Sequence, residues 1–342
     1  MPTQPRDARM TGLPLRSLKL LALSLLAAAT LATATEMAPP ASTADAATAT
    51  ATIAATTPSA PPLPLLWKVS DADNAVYLLG SFHLLKESDY PVSADIEAAL
   101  AGSARVVFEI TPDQLKDPAT TQKFTQAASF GDGRTLSSVL PADLRERLEA
   151  LLVPQGGSVA RLDAYKPWFV NLSLVMGLSQ SLGFSAEQGL DQYLMKRAAA
   201  GGKVIGGLES IDAQLQALDG SPMSEQVAGL GDFLDQRQDM PAMLGDMHAA
   251  WRRGDVEQLE ALTGDDMREH TPETYRMVVV ERNDAWTPKL RAMLDGADTT
   301  DTLVVVGALH LLGDDGVVEK LRAHGYRVER ICSACPTATA PQ

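Results

Sequence analysis

Two apolar runs of the chain end in glycine, two further residues and then histidine. They are VYLLGSFHLL, residues 76–85, and LVVVGALHLL, residues 303–312, with His83 and His310 at matching places. Several consecutive apolar or β-branched residues followed by glycine are typical of buried strands in a parallel sheet, not of amphipathic helices. We therefore predict two buried strands, each with a histidine just beyond its end.

Two other apolar runs end in glutamate. RVVF leads directly into Glu109, and KVIGGL leads directly into Glu209. In open α/β sheets the functional site lies outside the carboxyl ends of the strands. If these four strands are neighbours, His83, Glu109, Glu209 and His310 converge, and this convergence is the central hypothesis from the sequence.

The remaining pattern alternates strands with helices. Residues 65–70 and 75–82 flank the turn-forming sequence DADN, which predicts an antiparallel hairpin. A helix follows over residues 93–101, with Ser93 as its N-cap, and it leads into the strand that ends at residue 108. This order of strand, helix and strand favours a parallel pair with a right-handed crossover.

The long stretches between the later strand-like runs are mainly helical. Strands are expected at residues 203–208, 303–309 and 326–331, and the last two are separated by a helix over residues 316–324. We predict one α/β domain over residues 65–331, with a mixed central β-sheet flanked by helices. A large helical insertion would lie between two strand-helix halves and cover the site.

The N-terminal residues differ from the rest of the chain. Arg6, Arg9, Arg16 and Lys19 precede a short apolar segment that ends in the small residues of 32–34. This predicts a cleaved signal peptide over residues 1–34 and a periplasmic or secreted protein. A membrane anchor is the alternative, but alanine and threonine dilute the apolar segment below the roughly 20 residues that a span needs.

An Ala/Thr/Pro-rich segment, residues 35–64, has no apolar pattern and is expected to be a disordered tether. The chain has a formal charge of −14, of which the first 34 residues contribute +3, so the predicted mature chain carries −17. Such acidity argues against nucleic acid as a partner. No stable membrane span is expected after signal cleavage.

The only cysteines are Cys332 and Cys335, near the end of the chain. Outside the cytoplasm a C-x-x-C pair is expected to form a local disulfide, here in a C-terminal tail over residues 332–342. A redox centre or half of a zinc site is the alternative, but a redox motif would open a helix and a zinc site would need further ligands.

The order of these motifs resembles the TraB/GumN family, which includes the Tiki proteins. The resemblance rests on LWKV at residues 66–69, GSFH at 80–83, Glu109, GLES at 207–210, RN at 282–283 and GALHLLGDDG at 307–316. It covers nearly everything that looks folded. Tiki members are metal-dependent proteases that use the G-x-x-H histidines and a glutamate, so the resemblance implies a metal site and a peptide or protein substrate.

The residue types fit that chemistry. Histidine with a carboxylate forms open catalytic metal sites, and we predict His83, Glu109 and His310 as ligands of a divalent ion such as Mn, Co or Zn. Hydrogen-bonded histidines at the edge of the core are the alternative. Glu209 is then the candidate general base, although the two glutamates could exchange roles or form a structural salt bridge with Arg282.

Arg282 and Asn283 offer a fixed positive charge and an amide that could stabilise a developing oxyanion. The alternative is that both residues lie on the surface of a helix and have no role in the site. Ser81 and Ser210 lie near the candidates, but a serine nucleophile would need a histidine base of its own. The chain contains no G-x-S-x-G, P-loop or H-E-x-x-H motif.

Context separates these motifs from chance matches. A third G-x-x-H, residues 245–248, lies inside a helical run, and His270 and His324 lie in polar surroundings, so we assign none of them a role. The resemblance to the Tiki proteins favours a cell-envelope hydrolase of peptide or amide bonds that uses metal-activated water. The alternative is a non-catalytic envelope protein that binds a metal, haem or another ligand.

Overall fold

Six strands form one mixed sheet at the centre of the fold. The computed structural model describes residues 60–336. The strands are β1 (Leu66–Ser70), β2 (Ala75–Ser81), β3 (Arg105–Phe108), β4 (Val204–Gly207), β5 (Thr302–Gly307) and β6 (Arg327–Ile331). All six predicted strands are thus present, with their ends within two residues of the predicted positions.

The sheet order is β4-β3-β5-β2-β1-β6. Strands β4, β3, β5 and β2 run parallel to one another, and β1 is antiparallel to both of its neighbours. Ser81 at the end of β2 pairs with Gly307 at the end of β5, and Phe108 pairs with Gly207. The four parallel strands therefore end at one edge of the sheet, as an α/β site requires.

The hairpin of β1 and β2 is confirmed, but the predicted pairing of β2 with β3 is wrong. These two strands are parallel, yet β5 lies between them. All six residues of β5 are buried, whereas β3 begins with the partly exposed Arg105. A strand that is apolar on both faces must lie inside a sheet, and this places β5 at its centre.

Most helices lie in two long stretches, between β3 and β4 and between β4 and β5. The helices up to β4 are α1 (Ala94–Gly102), α2 (Pro112–Lys116), α3 (Pro118–Ala128), α4 (Leu136–Val139), α5 (Ala142–Leu152), α6 (Pro167–Ser181) and α7 (Leu190–Ala200). Those after β4 are α8 (Ile211–Asp219), α9 (Met223–Gln236), α10 (Met240–Arg252), α11 (Val256–Glu260), α12 (Asp266–His270), α13 (Pro272–Tyr275), α14 (Glu281–Leu294) and α15 (Val317–Ala323).

Local signals fix several helix ends. The Ser93 side chain accepts a hydrogen bond from the backbone N–H of Ile96, so the predicted N-cap of α1 is confirmed. A π-helical segment, Arg276–Val280, joins α13 to α14. Such segments occur often at functional sites, and this one ends two residues before Arg282.

The predicted domain, residues 65–331, lies wholly within residues 60–336, whereas most of the segments predicted on either side of it, including residues 337–342, lie outside. Residues 1–34 and most of the tether, 35–59, are outside the described residues. Within residues 60–336, no helix is long and apolar enough to cross a bilayer. A disulfide joins Cys332 to Cys335, as predicted, and disulfides are typical of proteins outside the reducing cytosol.

Burial in the sheet predicts where substitutions are costly. Leu303 in β5 is fully buried, and Leu303→Ala should lower the free energy of unfolding by about 2–5 kcal/mol because it leaves a cavity. Val204 in β4 is 60% exposed, and Val204→Ala should change it by less than about 0.5 kcal/mol. Urea unfolding of both variants measures the difference, and equal effects would contradict the central position of β5.

Candidate active site

Four sequence candidates lie just beyond the ends of the parallel strands. His83 follows β2, Glu109 follows β3, Glu209 follows β4, and His310 lies in a short 3-10 turn, Ala308–Leu311, after β5. His83, Glu109 and His310 are buried, and the Glu209 side chain is nearly so. Buried ionisable groups need partners, and the contacts among them define the site.

Three of these side chains surround Gly307. A Cβ atom added to this glycine would lie 2.9 Å from Nε2 of His83, 3.3 Å from Oε1 of Glu109 and 3.6 Å from Cδ2 of His310. The two histidine ring atoms are therefore at most 6.5 Å apart. The Gly307 N–H also donates to Glu109 Oε1 at 2.7 Å. Any larger residue at this position would fill the space between the three side chains.

The guanidinium of Arg282 links the other members of the site. It donates to Glu109 Oε2 at 2.7 Å, to Glu209 Oε1 at 2.6 Å and to the carbonyl of Val278 at 3.2 Å. Burial alone would lower the pKa of Arg282, but Glu209 and Glu109 outweigh it and raise the pKa. The salt bridge considered from the sequence is thus present, and it joins both glutamates to one cation.

His310 is held as a neutral imidazole. Its Nε2 lies 3.0 Å from Nη1 of Arg282, which can only donate, so we place the ring proton on Nδ1, 2.8 Å from Asn283 Oδ1. Burial, and then the charges of Arg282 and His83, lower the pKa of His310 well below its usual value. Neutral imidazole is the form that binds metals.

Asn283 is fully buried, and its amide is occupied. Besides the contact of Oδ1 with the ring, Nδ2 donates to the backbone carbonyls of His310 and Asp315 at 3.2 and 2.9 Å. This arrangement positions His310 and directs no free amide group towards a substrate.

Asp191 is a site residue that the sequence reasoning missed. Its Oδ1 lies 3.1 Å from Nδ1 of His83, and its N–H donates to Ser81 Oγ at 3.2 Å. Burial opposes protonation of His83, but Asp191 and then Glu109 outweigh it and raise the pKa of this histidine. The sequence signal for Asp191 is an acidic residue two positions after Gly189, in the first turn of a helix, and a Cβ atom at Gly189 would clash with the His83 carbonyl.

Neither ring nitrogen of His83 makes a hydrogen bond of good geometry among residues 60–336, but Nδ1 has Asp191 Oδ1 at 3.1 Å, whereas Nε2 has no partner this close. This buried Nε2 atom lies 3.9 Å from Glu109 Oε1. A buried polar atom without a partner is costly, and a ligand or ion that binds the protein can supply the missing contact.

Glu209 connects the buried centre to a cavity of about 570 Å³. It accepts hydrogen bonds from Arg282 and, at 3.1 Å, from Nε1 of Trp286, and these three residues line the cavity with Met277 and Lys289. Burial raises the pKa of Glu209, although Arg282 opposes the shift. Glu209 and Arg282 are therefore the charged groups of the centre that a molecule in this cavity would meet.

The side chains of the site are of types that bind divalent ions, but their positions suit such an ion only in part. His83 Nε2 is free and faces Glu109, which suits two ligands of one ion. The Nε2 of His310, however, is engaged by Arg282. Consistent with this, no three His, Cys, Asp or Glu residues in the described part of the chain form a ready metal-binding group.

The remaining sequence candidates have other contacts. Ser81 bonds to Asp191, and Ser210 caps α8, so neither hydroxyl approaches a free histidine base. The third G-x-x-H lies in α10, as predicted, and its His248 Nε2 lies 2.9 Å from Asp89 Oδ2. Ser81 therefore supports Asp191, whereas these contacts give Ser210 and His248 no place in the buried centre.

Comparison with known proteins connects this site to one family. The sequence profile of the TraB/PrgY/gumN family matches residues 65–330, which include every residue of this site. The chain is 23% identical over 302 residues to the protein named Metalloprotease TIKI2 from Danio rerio. It is 24% identical over 246 residues to the uncharacterized protein YbaP from Escherichia coli strain K12.

Coverage of these relatives differs. The matches take in 74% and 72% of this chain, and 58% and 87% of the Danio rerio and Escherichia coli proteins. The chain is also 22% identical to human Metalloprotease TIKI1, over 79% of this chain and 62% of that protein. It thus spans little more than half of the length of the Danio rerio protein. No solved structure matches significantly.

The buried Arg282 predicts a large effect on stability. Arg282→Met leaves Glu109 and Glu209 buried without their cation and should lower the free energy of unfolding by about 3–5 kcal/mol. Arg105→Met removes an exposed pair with Asp298 and should cost at most about 1 kcal/mol. Chemical denaturation at neutral pH measures both, and similar losses would contradict the central role of Arg282.

Proposed function

The chain belongs to the TraB/PrgY/gumN family, and we propose that it is a metal-dependent hydrolase of peptide or other amide bonds. One observation carries the proposal: the unpaired, buried Nε2 of His83 beside Glu109 and His310, next to a buried arginine. The relatives from Danio rerio and humans are named metalloproteases, and these names support the same reaction class.

The ion, Mn, Co or Zn, would be held by Nε2 of His83 and by Glu109. His310 would join them if its Nε2 exchanged Arg282 for the ion. When bound, a divalent ion supplies Lewis acidity and lowers the pKa of a water molecule. Asp191 orients His83 through Nδ1, and Asn283 orients His310, as partners behind metal-binding histidines usually do.

Glu209 is proposed as the general base. It reaches the cavity, and its raised pKa brings it closer to neutral pH, where a base accepts protons efficiently while still ionised. Its hydrogen bonds from Arg282 and Trp286 fix the carboxylate, so that it can take a proton from water without first reorganising.

Arg282 is proposed to stabilise the negative charge that develops on the substrate carbonyl oxygen. Its N–H groups already have partners, so it would act through its fixed charge at the wall of the cavity, largely shielded from water, and not through a new hydrogen bond. Asn283, proposed from the sequence for the same task, is better suited to hold His310.

The cell envelope is the proposed location. The disulfide between Cys332 and Cys335 supports a periplasmic or secreted protein, and the sequence of residues 1–34 supports export. A peptide or protein is the proposed substrate, in keeping with the names of the relatives.

A direct prediction concerns metal and activity together. His83→Ala and His310→Ala should each lose bound metal and lower peptide cleavage by about 100-fold or more, whereas exposed His324→Ala should retain both. The measurements are metal content by mass spectrometry and cleavage of a peptide library with added Mn, Co or Zn.

Equal metal content in all three variants and the wild type would show that His83 and His310 do not hold a metal ion. If both site variants lose metal but the wild type cleaves nothing with any ion, the non-catalytic ligand-binding function becomes the better account. The cavity beside Glu209 would then be the place for that ligand.

A second prediction concerns pH. The base works only when ionised, so kcat/KM should fall as the pH drops through the raised pKa of Glu209, above the usual glutamate value of about 4.3. Glu209→Gln should lower the rate by about 10²–10⁴-fold and abolish this dependence. The partly exposed Glu319→Gln is the control, and an unchanged acid limb in Glu209→Gln would exclude Glu209 as the base.

A further inference from the structure

β4 forms the edge of the sheet that borders the cavity. It pairs with β3 on one side only, and within residues 60–336 no strand pairs with its other side. Val204 is 60% exposed, and the strand sequence VIGG contains no charged residue or proline. An exposed strand edge is a template for pairing with another extended chain.

The opposite edge of the sheet is protected differently. β6 carries Arg327 and Glu329, whose side chains are 74% and 46% exposed and form an ion pair. Charged side chains on an edge strand discourage pairing with other chains. The two edges therefore differ, and the uncharged one lies beside the candidate active site.

The direction of the backbone groups in β4 follows from its ladder with β3. Val204 N–H donates to the carbonyl of Ala104, and Leu208 N–H donates to that of Phe108. Because direction alternates along a strand, the N–H and C=O groups of Ile205 and Gly207 point away from β3. The described part of the chain offers these outward groups no partner.

The chain beyond this edge leads directly into the site. Gly207, Leu208, Glu209 and Ser210 line the cavity, together with Arg282. A chain lying alongside β4 would therefore continue past Gly207 towards Glu209 and Arg282. The edge and the candidate active site form one continuous surface.

We propose that the β4 edge binds the extended peptide substrate as an added strand, which hydrogen-bonds to Ile205 and Gly207 and carries its amide bond over Glu209. As a statement about the substrate, this rests on the proposed function. Recognition through the main chain tolerates many sequences. A second copy of the chain is a poorer occupant, because two molecules with a formal charge of −14 repel each other.

The test measures binding without relying on turnover. Hydrogen–deuterium exchange with residue-level fragmentation is followed for the wild type with and without a saturating pool of random dodecapeptides. Exchange at Ile205 and Gly207 should slow by about 10-fold or more, because their amides gain partners. Val204 and Gly206, which already face β3, should change by less than about 2-fold.

A matched pair of variants separates the backbone from the side chain. Ile205→Pro removes the outward N–H together with the isoleucine side chain and should abolish the protection of Gly207, whereas Ile205→Ala removes the side chain but keeps the N–H and should retain the protection. If Ile205→Pro does not fold, the same peptide pool with methylated backbone nitrogens replaces it. That pool should bind at least about 10-fold more weakly to the wild type.

The outcomes distinguish this proposal from the proposed function. If Ile205 and Gly207 are protected but the peptide pool is not cleaved, the added strand is supported and the hydrolase function is excluded. If the pool is cleaved but Ile205 and Gly207 are not protected, the hydrolase function is supported and the added strand is excluded. Protection that rises with protein concentration in the absence of peptide also overturns it, because a second copy is then the occupant.

Discussion

A guanidinium buried between two carboxylates is the interaction on which the site depends. Removing such groups from water costs several kcal/mol per ion, and only close, multiple hydrogen bonds offset this loss. Arg282 meets that requirement through Glu109, Glu209, His310 and the carbonyl of Val278. The residues after β3, β4 and β5 are therefore tied to one helix, and neither glutamate can move away without leaving buried charges unpaired.

The two G-x-x-H histidines have similar sequence contexts but opposite electrostatic surroundings. His310 faces Arg282 and is kept neutral, whereas His83 faces Asp191 and Glu109, which favour its protonation. Sites that use ionisable groups for different tasks commonly separate their pKa values in this way. The Nε2 atom of His83 faces Glu109 across 3.9 Å, and a metal ion bound there would take the place of the proton that these carboxylates favour.

Much of this arrangement could be predicted from the chain. Apolar runs ending in His83, Glu109, Glu209 and His310 identified the strands, and the rule that parallel strands share a carboxyl edge brought their ends together. Asp191 could not be found in this way, because it reaches His83 from the start of α7, 108 residues later. The strand order was also missed, because β5 lies between β2 and β3. The apolar residues on both faces of β5 show that it is an interior strand, but they do not show which strands are its neighbours. The helical pattern around Arg282 similarly gave no sign that its guanidinium would be buried.

The central claim is that His83 and Glu109 hold a metal ion at the edge of the sheet. Anomalous scattering at the zinc edge from crystals soaked in Zn²⁺ tests it most directly. The account predicts a peak about 2.0–2.1 Å from Nε2 of His83, absent from crystals of His83→Ala. Zinc peaks confined to other parts of the protein, with none at His83, would contradict it.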